Sequence, residues 1–323
     1  MELGVNSSHG LKKCNSRGLF ISRKFIKGGI IAMKVLKFLV CLLAVLLLTG
    51  AANTVWASPF ATNVVSFNGP FGGSPYDDPN SVLGKPTTWI KGDDVGGYDM
   101  ACSMVYPAWN TSPAPELNKL ITTLNSGAYI IAEFDHNVVD DPLNPYGIDF
   151  IVYGNSFFVG TEGMVYHDTN MEDYHIKDGG IFKEPVTVSV SPDLENWHTY
   201  TTGPFGDDYF PTNAFEWDRD ADAWGAELDW TKPVNPLLGP DDFAGLSVAD
   251  AIDLYDGSAG GAGFDLAESG FEWIRYIKVE NTGYAGEIDG FSDVAAVPIP
   301  GALWLLGSGL LGLIGLRRGK KIS

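Results

Sequence analysis

Carboxylates dominate the chemistry this chain could do. The densest run is Glu216-Trp217-Asp218-Arg219-Asp220-Ala221-Asp222. Counted from Asp218, acids stand at positions one, three and five, and Asp229 stands at position twelve. That is the spacing with which an oxygen-lined loop wraps a hard cation such as calcium. The sixth position, where such a loop turns on glycine, is Ala223, and no helical pattern flanks the run. A solvated acidic loop is the simpler reading, with Asp218, Asp220, Asp222 and Asp229 as the weaker of two metal sets. The other set is scattered: Asp149, Asn155, Asp265, Glu287 and Asp289 fall at the ends of expected strands. In an extended chain Glu287 and Asp289 point to one side. Two carboxylates so placed disfavour each other's charge unless a cation or solvent comes between them.

Other reactive side chains are sparse. His136, His167, His175 and His198 match no metal-ligand spacing and read as surface-loop residues. There is no G-x-S-x-G elbow, no H-E-x-x-H and no phosphate loop, so no catalytic residue is assigned. Carboxylate pairs are so numerous that glycoside hydrolysis stays open by inventory alone. Trp89, Tyr98, Trp109, Trp217, Trp224 and Trp230 could stack on sugar rings, although core filling or loop anchoring accounts for most such residues. Cys102 is the one cysteine of residues 58–297, so no internal disulfide forms there. It reads as a small buried apolar side chain rather than a catalytic thiol.

The elements that must carry these groups are mostly strands. Short apolar runs bounded by Gly, Pro, Asn and Asp predict strands over Asn63–Phe67, Ala128–Phe134, Asp149–Tyr153, Val186–Ser191, Trp197–Thr202 and Trp273–Glu280. In Val186–Ser191 apolar residues alternate with hydroxyls, which predicts one buried and one wet face. Asp149–Tyr153 is apolar nearly throughout and reads as central. Trp273–Glu280 forms no clean alternating series, which suits an inner strand covered on both sides. Helices are expected only over Pro115–Leu124 and, from a capping-box-like Ser247, to Leu254. Long loops rich in Asp, Gly and Pro fill 68–100, 155–182 and 203–245. The fold class expected is all-β, an antiparallel β-sandwich with long loops, plus an N-terminal signal helix and a C-terminal transmembrane helix.

Charge separates the body from its ends. The chain of 323 residues carries 21 Lys and Arg against 40 Asp and Glu. Nine of those bases and 39 of those acids lie in 58–297, a body of 240 residues with a net charge of about −30. Nucleic-acid binding, which needs a basic face, is excluded, and divalent cations are the partners such charge invites. At the front, Lys34 and Lys37 precede the apolar run Phe38–Leu48, and Val55-Trp56-Ala57 before Ser58 has the small residues of a cleavage site. Met33–Ala57 is expected to be a secretory signal peptide, cut between Ala57 and Ser58, with 1–32 as an upstream extension. Cys41 lies inside the apolar run rather than at its end, against a lipoprotein anchor. At the back, Val297-Pro298-Ile299-Pro300 leads into the uncharged run Gly301–Leu316 and then Arg317, Arg318, Lys320 and Lys321. Sixteen residues reach only ~24 Å against a hydrocarbon core of ~30 Å. Gly307, Gly309, Gly312 and Gly315 weaken the run further as a permanent helix.

The order and spacing of that tail resemble the bacterial PEP-CTERM sorting signal, with Ile299 where the family usually has Glu. The resemblance implies a cell-surface or extracellular-matrix protein of a Gram-negative bacterium, with an exosortase-like membrane protease and envelope polysaccharide as partners. An ordinary anchor that stays in the membrane is the alternative. A looser resemblance covers Asp149–Phe158, Glu184–Trp197 and Phe264–Val297, which look like secreted bacterial surface proteins with a galactose-binding-like jelly roll. It implies that Asp149, Asn155, Asp265, Glu287 and Asp289 hold a structural Ca2+. The function expected is a non-catalytic exported sandwich binding calcium or glycan. A secreted carbohydrate-active enzyme and a structural adhesin without a small ligand are the alternatives.

Overall fold

The computed structural model describes residues 57–91, 98–108 and 121–294. The expected signal peptide up to Trp56, the sorting segment and Trp109 lie outside them. Nine strands build two antiparallel sheets. The first runs in the order β1 (Asn63–Asn68), β3 (Tyr129–Val139), β8 (Trp273–Glu280), β5 (Thr187–Ser191), β6 (His198–Thr199). The second runs β7 (Ala262–Phe264), β4 (Phe150–Gly154), β9 (Ala285–Asp293), β2 (Thr122–Asn125). Ile130, Ala132 and Phe134 of β3 and Ile277 and Val279 of β8 share one buried core with Phe150 and Val152 of β4 and Ile288 and Phe291 of β9. That shared core makes the two sheets a β-sandwich.

A second core explains why β4 is apolar on both sides. Ile151 and Tyr153 face away from the first core and pack with Trp230, Phe243 and Tyr255 from the long connections. The connections therefore hold structure of their own: hairpins Trp89–Lys91 with Asp99–Ala101, Phe157–Gly160 with Ile176–Phe182, and Phe215–Asp218 with Ala223–Glu227. Helix α1 (Pro240–Phe243) and helix α2 (Val248–Leu254) complete this layer, and Ser247 Oγ caps α2 by accepting Asp250 N–H, as the sequence indicates. Among the described residues no helix is long and apolar enough to cross a membrane.

Several expectations change on contact with the fold. The C-terminal part of the expected Pro115–Leu124 helix is strand β2, whose Thr122 and Leu124 are buried in alternation against β9. Pairing across the sheet overrides the helix-forming composition there. The hydroxyl face of β5 is not wet: Ser189 Oγ lies 2.8 Å from Thr199 Oγ1, and Ser191 Oγ accepts Leu194 N–H. The uneven series in β8 comes from a bulge between Ile274 and Tyr276, which brings Ile274 onto the buried side with Ile277 and Val279. The strand expected over Trp197–Thr202 shrinks to His198–Thr199.

Candidate metal centre

Two sets of three carboxylates come together from elements far apart in sequence: Asp140, Asp149 and Asp265, and Glu184, Asp207 and Glu287. In each set, one oxygen per residue lies within 4.8 Å of the others. Oxygens that share one calcium ion at about 2.4 Å span this distance. Either set could hold a metal ion.

The first set sits where β3 leaves its sheet and β4 enters the other. Asp149 is fully buried, and its backbone is pinned between Phe264 O and Val294 N–H. Its Oδ1 accepts Asp141 N–H at 3.0 Å and Asn144 Nδ2 at 2.9 Å, and its Oδ2 accepts Leu266 N–H at 2.8 Å. Burial pushes the Asp149 carboxyl above its ordinary range; the three donors pull it back, and the charge of Asp140 pushes it up again. Asp265 caps the short turn Leu266–Ser269 through Oδ1 on Ala267 N–H, leaving Oδ2 beside Gly147. Gly147, at φ 72°, lets the loop pass that close. Asn144 Oδ1 is buried without a hydrogen-bond partner.

The second set is built around Asp207, which is buried at φ 51°. Its Oδ1 accepts the N–H groups of Asn155 and Ser156, each at 2.8 Å, and its Oδ2 accepts Glu287 N–H at 3.0 Å. Gly154 is required beneath it: a Cβ there would lie 2.3 Å from Asp207 Oδ1. Glu287 Oε1 accepts Thr123 Oγ1 at 3.0 Å, and Oε2 is buried with no donor. Burial, then contact with Glu184, then the charge of Asp207 push the Glu287 carboxyl up to about 9. Only a shared proton or a cation makes Glu184 and Glu287 compatible neighbours. Among the described residues no ion pair reaches any of the six carboxylates.

The scattered set of five thus divides. Asp149 and Asp265 meet in one triad, Glu287 belongs to the other, and Asn155 approaches the second through its backbone N–H. Asp289 is buried elsewhere, accepting Thr87 N–H at 2.7 Å and Thr87 Oγ1 at 2.9 Å. The acidic run is not gathered into a triad. Asp218 Oδ1 closes the hairpin turn on Asp220 and Ala221 N–H, Arg219 pairs with Glu172, Asp250 and Asp253, and Asp229 Oδ1 caps its own turn on Thr231. No family model matches the chain, and no curated protein matches it. Its chemistry rests on its own geometry.

The aromatic residues proposed for sugar stacking mostly fill the second core. Trp89 packs on Phe215, Trp217 on Trp224 and Trp230 on Tyr153, while Tyr98 stacks on His167 at 3.8 Å. Trp197 is different. It borders a groove of about 530 Å³ with Tyr129, Ser189, Thr199 and Lys278 on the outer side of the first sheet. His136 is also not a loop residue. It lies on β3 with Nδ1 2.8 Å from Asp135 Oδ1 and Nε2 2.8 Å from Asp293 Oδ2, and so links the first sheet to β9 of the second.

Proposed function

We propose that the chain is an exported cell-surface protein whose β-sandwich holds calcium and binds its partner without transforming it. The observation that carries this reading is the pair of carboxylate triads that, among the described residues, have no basic side chain paired to either, in a body of net charge about −30. Oxygen donors without imidazole or thiolate suit a hard cation. Export is supported by the Met33–Ala57 segment and by the tail from Val297, which would meet an exosortase-like protease at the membrane of a Gram-negative cell. A jelly-roll, galactose-binding-like reading of the sandwich agrees with two stacked antiparallel sheets. Envelope polysaccharide is the partner proposed for the outer groove, where Trp197 is held by Nε1 donating to Leu194 O at 3.0 Å. The test combines cell fractionation, the intact mass of the purified protein and a glycan array read with and without chelator. Binding without turnover is expected, as is a chain beginning at Ser58. Full-length chain in the cytosol, untrimmed at Ala57, would sink the export reading.

One observation favours a carbohydrate-active enzyme as the second reading. A carboxyl raised to about 9 is protonated at neutral pH, which is the state of a general acid. Hydrolysis of a polysaccharide by the purified protein, abolished by Glu287→Gln, would establish it in place of the first.

A further inference from the structure

Away from the carboxylates, an apolar recess of about 450 Å³ is lined by the 105–107 loop and by the hairpin Phe157–Gly160 with Ile176–Phe182. We infer that this recess binds a small, uncharged ring compound bearing a hydroxyl, which the Asn155 amide receives. Val105, Phe158, Val165 and Tyr174 line it and are buried, whereas Met164 and Phe182 line it and are 63% and 45% exposed, so it opens to solvent on their side. Apolar side chains held open around a recess are what a ligand covers with gain. The walls are fixed. Phe158 N–H donates to Met104 O at 2.7 Å, and Tyr174 lies across Gly160, where a Cβ would meet its ring, with its hydroxyl donating to Gly163 O.

One polar group stands ready in this apolar wall. Asn155 is 8% exposed and borders the recess, and its backbone is held by its own N–H and that of Ser156 on Asp207 Oδ1. Its Oδ1 is buried with no partner, which is costly to leave so, and among the described residues no hydrogen bond holds its Nδ2. The two ends of an amide are nearly the same size, so a half-turn about its last bond presents either a donor or an acceptor. A ligand hydroxyl answers both. The size and charge of the recess narrow the occupant further. One turn of helix, ~10–12 Å across and ~5.4 Å tall, would already fill it, whereas ligand pockets of about 300–1,000 Å³ take small molecules. None of its described lining residues carries a charge, and a body of net charge about −30 repels anions, so the ligand is neutral. Phe157 and Phe182 stack with ring centroids 5.3 Å apart at the recess, and such faces favour a flat ring.

The experiment is equilibrium dialysis of the purified full chain at pH 7 against 2-naphthol, 2-methylnaphthalene and 2-naphthoate. The first two match in shape and differ by a hydroxyl in place of a methyl group. One 2-naphthol per chain is expected, bound about threefold to tenfold more tightly than 2-methylnaphthalene although the latter is the more apolar. The carboxylate of 2-naphthoate should weaken binding about tenfold or more. Asn155→Leu, apolar and of similar size, should reverse the order of the two neutral probes. Phe182→Ala, at the exposed side, should weaken both about threefold or more and keep their order, which tests the site even if Asn155→Leu fails to fold. A parent chain that binds no 2-naphthol, or prefers 2-methylnaphthalene or 2-naphthoate, overturns the proposal. So does an unchanged order in folded Asn155→Leu, or unchanged affinity for both neutral probes in Phe182→Ala.

Discussion

Glu287 is where pH acts most directly on a single side chain. Its folded carboxyl is pushed up to about 9, from an ordinary value of 4.5, by burial, by Glu184 and by Asp207. Between those values the folded chain holds a proton that the unfolded chain has released, so stability falls as pH rises through this window. Glu287→Gln removes the titration. Urea unfolding at pH 5, 7 and 9 should show the parent losing more stability across the series than the variant, with the variant ahead at pH 9. Parallel curves would mean that the carboxyl titrates normally. The neighbouring constraint is steric. A methyl group at Gly154 lies 2.3 Å from Asp207 Oδ1 and 2.7 Å from its Cα, and backbone cannot rotate away as a side-chain tip can. Gly154→Ala should therefore cost about 3 kcal/mol or more by urea titration. Cys102 is buried and its thiol is pushed up, chiefly by burial and then by Asp289, which agrees with a packing role.

At the scale of elements, the two sheets are joined by more than their shared core. His136 on β3 lies between Asp135 and Asp293, and Ser58 N–H reaches Asp135 Oδ2 at 3.3 Å. Burial pulls the imidazole down, but the two carboxylates together outweigh it and leave His136 raised above 6.5. The clasp therefore contributes fully below about pH 6.5 and fades as pH rises through the higher folded value. His136→Gln should cost most stability at pH 5.5, with the gap to the parent narrowing as pH rises above 6.5 through the higher folded value. A gap independent of pH would make the ring a spacer. If the chain is cut before Ser58, the new ammonium faces Asp135 and tightens the same clasp. Which parts of this were legible beforehand follows from range. Asp149–Tyr153 carries its burial in an unbroken apolar run and Val186–Ser191 the burial of its valines in alternation, so the main strands are readable, although the burial of Ser189 and Ser191 is not. The hairpins inside the long connections are not, because their segments of three to seven residues carry too few turns of any period to be read. The site was half legible. Glu287 lies within β9 and Asp140, Asp149 and Asp265 stand next to strand ends, whereas Glu184 and Asp207 lie in connections, and the members of each set meet only through sheet pairing. The turn-forming run Asp140-Asp141-Pro142-Leu143-Asn144-Pro145 was the one local signal for the loop around Asp149.

Across the whole molecule, a body with a net charge of about −30 repels itself, and two kinds of cation effect must be told apart. Screening depends on ionic strength: the Debye length is ~30 Å at 0.01 M and ~10 Å at 0.1 M, so the stripped protein should melt higher as NaCl rises over that range. A calcium site depends instead on occupancy. CaCl2 at 1 mM adds only about 3 mM of ionic strength and changes screening little. If the ion binds the folded chain with calcium at about 100 times its Kd, it adds ~2.7 kcal/mol. For a body of this size that is a rise of about 5–10 °C in Tm. The expected result is therefore a large shift from 1 mM CaCl2 that persists in 0.5 M NaCl and is reversed by chelator. A shift that vanishes in high salt would assign the whole effect to screening. The excess of acids over residues 58–297 would then serve solubility, and the triads would be held together by protons alone.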